Sequence, residues 1–258
     1  MTHPAHPQTV LITGATGGIG TALAEVYAEP GMTLILQGRN TARLAELAAR
    51  CETRGARLLT RALDVRNCEE LSAWLGAICQ EEQVDLVIAA AGLNTNIGPE
   101  GAGERWQDVQ ALIEVNVLAT MATVAAVLPA MRSRGAGQIA LISSLAAYFG
   151  LPLTPSYCAS KAAVKAYGEA LRGWLAPEGI RVNVVMPGYV ESRMCREMPG
   201  PKPFLWPPAK AARAIKRGLE QNQPRISFPF PLNFGSWWLS VLPPAFSERI
   251  LRLIGYGG

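Results

Sequence analysis

Thr9-Val-Leu-Ile-Thr13-Gly14-Ala-Thr-Gly-Gly18-Ile-Gly20-Thr-Ala-Leu-Ala-Glu25 joins an apolar run to a glycine turn and then to a helical pattern. Gln8–Thr13 has β character, and Thr21–Glu29 has helical spacing. Glycines at 14, 18 and 20 exceed what a tight βα turn requires. They permit positive φ and let backbone N–H groups approach a pyrophosphate. The helix N-terminus behind them adds orphan donors and a partial positive charge. Strand, glycine turn and helix together point to a phosphate-bearing cofactor.

The same alternation continues along the chain. Thr33–Gln37, Arg57–Leu63, Asp85–Ala89, Gln138–Ser143, Ile180–Met186 and Arg225–Phe228 read as further strands, about seven in all. Between them, Thr41–Arg54, Asn67–Glu81, Glu104–Arg134, Pro155 to about Trp174 and Ala209–Gln221 read as helices, and Pro129 should kink the long one. Such a pattern implies an α/β fold, a doubly wound parallel sheet of Rossmann type with helices on both faces, as one domain over 1–258. Ligands then bind outside the carboxyl ends of the strands. Gly14, Gly38, Asp64, Gly92, Ser144 and Gly188 all fall at such ends.

Tyr157 and Lys161 are four residues apart in Ser-Tyr-Cys-Ala-Ser-Lys, so a helix here puts them on one face. A phenol titrates near 10, and an ammonium one turn away is expected to lower that value. The pair can then pass a proton to a carbonyl oxygen or take one from an alcohol. Ser144 precedes Tyr157 by thirteen residues. Its hydroxyl can orient a substrate oxygen; Ser143 competes for that place or ends the strand. His3 and His6 are the only histidines, both in the N-terminal tail. This argues against a Ser-His-Asp hydrolase and against a His-ligated metal site in the body of the fold.

Composition sets the outer bounds. The chain has 258 residues, 49% hydrophobic and 17% charged, with net charge +4. No basic run exceeds two residues, so no nucleic-acid footprint is expected. The five cysteines form no CxxC and the N-terminus has no signal-peptide pattern, which suggests a reducing, cytoplasmic setting.

Thr13-Gly14-x-x-x-Gly18-Ile19-Gly20 followed by Tyr157-x-x-x-Lys161 resembles the short-chain dehydrogenase/reductase family over Thr9 to about Ser192. The resemblance implies a nicotinamide dinucleotide on the glycines and hydride transfer between it and a carbonyl or secondary alcohol. It makes Tyr157 the acid/base. Lys161 lowers its pKa and holds the nicotinamide ribose, Ser144 orients the oxygen, and Asn116 holds a water in a proton relay. The competing reading, a satisfied core amide, is the less favoured one. Asp64 with Val65 would lie at the adenine, or Asp64 would cap the next helix. Ala91 and Gly92 would pass close to the cofactor; the family's Asn-Asn-Ala-Gly is Ala89-Ala90-Ala91-Gly92 here. Pro187-Gly188-x-Val190-x-Ser192 would contact the nicotinamide amide, with Ser192 in place of the family's threonine.

After Gln37 an NAD site calls for a carboxylate, and Gly38-Arg39 stands there instead. Arg39 can pair a 2′-phosphate, so NADP(H) is favoured over NAD(H). The expected substrate is a small-molecule carbonyl or alcohol, apolar or bulky. A non-catalytic dinucleotide sensor is the alternative; a nucleotide-sugar dehydratase or epimerase would call for a longer chain and G-x-x-G-x-x-G. Residues 187–208, irregular and proline-rich from Met194, read as a substrate lid. The apolar extension 224–258 serves a substrate pocket, a dimer contact or a peripheral membrane contact. The resemblance further implies a homodimer or homotetramer paired through two long helices.

Overall fold

The computed structural model describes residues 7–98 and 101–256; the histidine tail lies outside them. Strand β1 (Thr9–Thr13) is buried along its whole length. It sits between β2 (Thr33–Gly38) and β4 (Leu86–Ala89), with Leu11 opposite both Ile35 and Val87. β3 (Arg57–Ala62), β5 (Gly137–Ile142), β6 (Ile180–Pro187) and β7 (Arg225–Phe228) complete a seven-stranded sheet of order β3-β2-β1-β4-β5-β6-β7. All neighbouring strands are parallel.

Side-chain alternation along the central strands divides the core into two layers. Val10, Ile12, Leu34 and Ile88 face α1 (Gly18–Tyr27), α2 (Thr41–Glu52) and α8 (Pro208–Glu220), where Leu23, Leu47 and Ile215 pack. Leu11, Ile35, Val87 and Leu141 face the other way. They meet Leu71 and Leu75 of α3 (Cys68–Glu81), Val127 of α5 (Ala119–Arg134) and Leu171 of α6 (Pro155–Leu175).

Two departures from the expected pattern matter for the site. α1 begins at Gly18, so Gly18-Ile19-Gly20 form its first turn. Gly17 is the N-cap without a side-chain bond, and no acidic residue follows in that turn. The N–H donors at this end are therefore left for a ligand.

The stretch expected as one helix from Glu104 divides into α4 (Trp106–Ile113), a π turn (Glu114–Leu118) and α5, which runs through Pro129 to Arg134. Asn116 lies in the π turn. Its Oδ1 accepts from the Leu93 N–H at 2.8 Å, and its Nδ2 donates to the Leu93 carbonyl at 3.0 Å and the Ser160 hydroxyl at 2.9 Å. One buried amide thus fastens the loop after β4 to α6. A π turn widens a helix by one residue and so re-aims the side chains around it. By length and composition Trp106–Arg134 could cross a membrane, yet its central window is half buried in the protein, where α5 packs on α3 and β5.

Residues 187–208, expected as a lid, contain a short helix, α7 (Arg193–Glu197), and a parallel bridge from Val190 to Trp206. The C-terminal extension folds into α9 (Leu232–Val241) and α10 (Pro244–Leu253). Asn116→Leu should lower the unfolding free energy by about 2 kcal/mol, since it strands the Leu93 backbone groups and the Ser160 hydroxyl. Urea denaturation with an unchanged slope would measure it.

Candidate active site

The carboxyl ends of the strands surround one cleft of about 1060 Å³. Gly14, Gly18, Ile19 and Gly20 line one end, and Ser144, Tyr157 and Lys161 line the middle. Gly14 has φ +66°, and a Cβ there would stand 2.6 Å from Ala91 Cα. The turn between β1 and α1 and the end of β4 can approach each other only without a side chain. Gln37 fixes the turn from below. Its Oε1 accepts the Gly14 N–H at 2.9 Å and its Nε2 donates to the Leu63 carbonyl at 2.7 Å. Gln37 was not singled out from the sequence, because its partners are 23 and 26 residues away.

The glycine end suits an anion. An uncapped helix N-terminus faces it, with no carboxylate in the first turn. Gly38, Arg39, Asn40, Arg43 and Val65 continue the wall. Arg43 joins Arg39 there and was not foreseen; Asn40 caps α2 by accepting the Arg43 N–H at 2.9 Å.

Thr13, Asp64 and Asn116 stand behind the wall and do not line the cleft among the described residues. Thr13 Oγ1 accepts the Ala90 N–H at 3.2 Å and ties β1 to β4. Asp64 pairs with Arg66 at 2.7 Å, which holds its carboxyl below the usual range. Asp64 does not cap α3; Asn67 does, accepting the Glu70 N–H at 3.2 Å.

At the centre, Pro155 starts α6 and brings Tyr157 and Lys161 to its cleft-facing side one turn apart. Lys161 Nζ lies 5.7 Å from the Tyr157 ring centroid and donates to the Ile142 carbonyl at 3.0 Å. Ser143 Oγ donates to the Lys161 carbonyl at 2.7 Å and so binds the end of β5 to α6. Ser144 Oγ accepts the Ala146 N–H at 3.1 Å, and Ser144 lines the cleft with Tyr157. The two serines are thereby assigned different places by geometry.

The expected lowering of the phenol pKa is not found. Burial pushes Tyr157 up to about 12, with the Ser144 hydrogen bond pulling it partly back. Burial also pushes Lys161 down to about 8. Both shifts have one cause: a charge removed from water is destabilised, which disfavours phenolate and ammonium alike.

Ala91, Gly92, Pro187, Gly188, Val190 and Ser192 complete the central wall. An added Cβ at Gly18 would stand 2.7 Å from Ser192 Cβ, so the loop after β6 packs directly on the glycine turn. Beyond Tyr157 the lining becomes apolar: Leu145, Phe149, Leu151, Leu232, Leu239 and Leu251. Tyr189 from the lid's start and Tyr256 near the C-terminus share a hydroxyl–hydroxyl hydrogen bond, and Tyr256 also donates to the Pro201 carbonyl. The C-terminal end is thus latched onto the lid, 67 residues away in sequence. No local pattern marks that pairing. No group of three or more His, Cys, Asp or Glu suited to a metal occurs among the described residues.

Comparison with known proteins agrees with this geometry. The family model described as short chain dehydrogenase matches residues 8–201. An uncharacterised oxidoreductase of Myxococcus xanthus is 32% identical over 248 residues, 95% of this chain and 97% of that relative. A short-chain dehydrogenase from Sphingobium yanoikuyae, solved in complex with NADPH, superposes with TM-score 0.79 at 26% identity, covering 95% of this chain and 94% of that one. One from Burkholderia cenocepacia, in complex with NADP, gives 0.80 at 26% identity, covering 96% and 98%.

Lys161→Met should raise the unfolding free energy at pH 7 by about 1–3 kcal/mol, since it removes a buried ammonium. Below pH 8 that burial penalty is present in full. Between about 8 and 10.5 the folded lysine is neutral while the unfolded one is still charged, so the penalty fades. The gap between variant and wild type should therefore narrow across that window, as measured by urea titration at stepped pH.

Proposed function

The chain belongs to the short chain dehydrogenase family and is an oxidoreductase acting on CH–OH and C=O groups; from that premise we propose an NADP(H)-dependent enzyme for an apolar or bulky carbonyl or secondary alcohol. The observation that carries the reading is the meeting of Ser144, Tyr157 and Lys161 with the glycine turn in one cleft. When bound there, a nicotinamide dinucleotide supplies or accepts the hydride.

The protein's own residues do the rest. Gly14, Gly18, Ile19 and Gly20 with the open end of α1 receive the pyrophosphate. Arg39 and Arg43 offer guanidinium groups to a 2′-phosphate. Val65 and Asp64 are at the adenine end, and Thr13 braces the turn. Ala91, Gly92, Pro187, Gly188, Val190 and Ser192 border the nicotinamide end. Ser144 donates a hydrogen bond to the substrate oxygen. Tyr157 gives that oxygen a proton in reduction, or takes one in oxidation. Lys161 holds the nicotinamide ribose, and its pKa of about 8 lets it exchange protons near neutral pH and reload the phenol. Asn116 supports the relay by positioning: its amide fixes both the Leu93 loop and Ser160, one residue from Lys161.

The apolar lining beyond Tyr157 supports an apolar or bulky substrate. Residues 187–208 act as the lid, and Tyr256 anchors it. Exposed Trp106 of α4, Leu118 of the π turn and Trp174 of α6 are apolar surface available to a homodimer or homotetramer. Five unpaired cysteines are in keeping with a cytoplasmic protein.

Purified protein should oxidise NADPH in the presence of a panel of apolar ketones. Tyr157→Phe should bind NADPH as the wild type does and lose turnover by about a hundredfold or more. Retained turnover would contradict the acid/base role, while binding without turnover on any carbonyl would favour a dinucleotide sensor. Arg39→Ala/Arg43→Ala should weaken NADPH by about ten- to a hundredfold and leave NADH unchanged, measured by fluorescence titration. Equal losses for both cofactors would argue against a 2′-phosphate site.

A further inference from the structure

α9, Leu-Asn-Phe-Gly-Ser-Trp-Trp-Leu-Ser-Val, contains no charged residue and buries none of its side chains. Leu232, Ser236 and Leu239 on one side line the cleft. Phe234, Trp237, Trp238 and Val241 on the other side face solvent. α10 repeats the division: Ser247 and Leu251 are buried, while Phe246, Ile250 and Leu253 are exposed. Fourteen large apolar side chains are exposed among the described residues, and nine of them lie between Phe230 and Ile254. A patch so concentrated needs a cover.

Two further observations say what covers it. The first is charge. Residues 187–258 carry ten Lys and Arg against four Asp and Glu, a net +6 within a chain of net +4, so residues 1–186 are net −2. Within α10, Arg252 pairs loosely with Glu248 at 3.9 Å, and Arg249 has no ion pair among the described residues. Of that excess, Arg249 and Arg252, against Glu248, lie on the two helices themselves, while Lys216 and Arg225 pair with Glu29 and Glu169 elsewhere. The second is the tryptophan pair. Phe234, Trp237 and Trp238 pack ring to ring at 5.8–6.1 Å, and neither indole N–H has a hydrogen-bond partner among the described residues. An indole with an apolar body and an exposed N–H suits the boundary between headgroups and acyl chains, which offers carbonyls and water.

We propose that α9 and α10 form a docking surface for an anionic lipid bilayer. Phe234, Trp237, Trp238, Val241, Phe246, Ile250 and Leu253 enter the boundary between headgroups and acyl chains, and Arg249 and Arg252 face lipid phosphates. Because the opposite sides of the same helices line the cleft, its apolar end opens beside the membrane. A substrate dissolved in lipid then reaches Tyr157 without crossing water.

The test is flotation of the full chain with vesicles of equimolar phosphatidylcholine and phosphatidylglycerol, alongside tryptophan fluorescence. Vesicle binding needs no turnover, so its failure is read separately from failure of the proposed reaction. The protein should float with the vesicles, with its emission shifted to shorter wavelength. Phe234→Ser/Trp237→Ser/Trp238→Ser, all at exposed positions away from the cleft wall, should weaken binding by about tenfold or more while keeping the melting temperature. Absence of flotation, or equal flotation of the triple variant, would overturn the proposal. So would a full chain that is dimeric by light scattering, becomes monomeric in the triple variant and ignores vesicles; a second copy would then be the cover. Equal binding to pure phosphatidylcholine would overturn the anionic assignment.

Discussion

Lys161 is an ammonium nine-tenths enclosed by protein, and several elements are arranged to hold it there. Its Nζ meets one carbonyl, Ile142, at the end of β5. Its own carbonyl accepts from Ser143, the next residue along that chain end. Its neighbour Ser160 is held by Asn116 from the π turn. Removing a cation from water is unfavourable unless it is well paired, and a single carbonyl is thin compensation. The result is a lysine near pKa 8 beside a phenol near 12. Burial of this ammonium costs local stability, and it sets two titratable groups one helical turn apart at the cleft.

The parallel sheet makes this arrangement available. Because every strand runs the same way, all connecting turns of interest emerge at one edge. The glycine turn after β1, the Ala90-Ala91-Gly92 turn after β4, the serine pair after β5 and Pro187-Gly188 after β6 are then neighbours in space. The order β3-β2-β1-β4-β5-β6-β7 also separates the cleft's two ends. Arg39, just after β2, and Arg43 of α2 line one end with the glycine turn. Ser144, Tyr157 and Pro187 line the other.

The C-terminal helices solve a different problem. A cleft wall one helix thick has two sides, and both are apolar here. α9 uses both: one lines the cleft and the other lies open. Tyr256 then fastens the assembly to the lid through Tyr189 and Pro201. Lid, pocket wall and outer apolar face are consequently one mechanical unit.

Several features were legible in the residues alone because they rest on local periodicity. The buried strands show as short apolar runs, the helices as 3.6-residue patterns, and Tyr157 and Lys161 as a four-residue step on one helix. Glycine at position 14 is readable because few other residues adopt its φ of +66° beside Ala91. Other features arise from contacts between residues far apart in sequence. Gln37 braces Gly14, Tyr256 meets Tyr189, Asn116 turns out to be a clasp inside a π turn, and Asp64 goes to Arg66 rather than to a helix cap. The pKa order of the central pair belongs to this second group. From spacing alone, attraction between ammonium and phenolate is the visible effect. Only the packed structure shows how little water reaches either group, and desolvation is then the leading cause of both shifts.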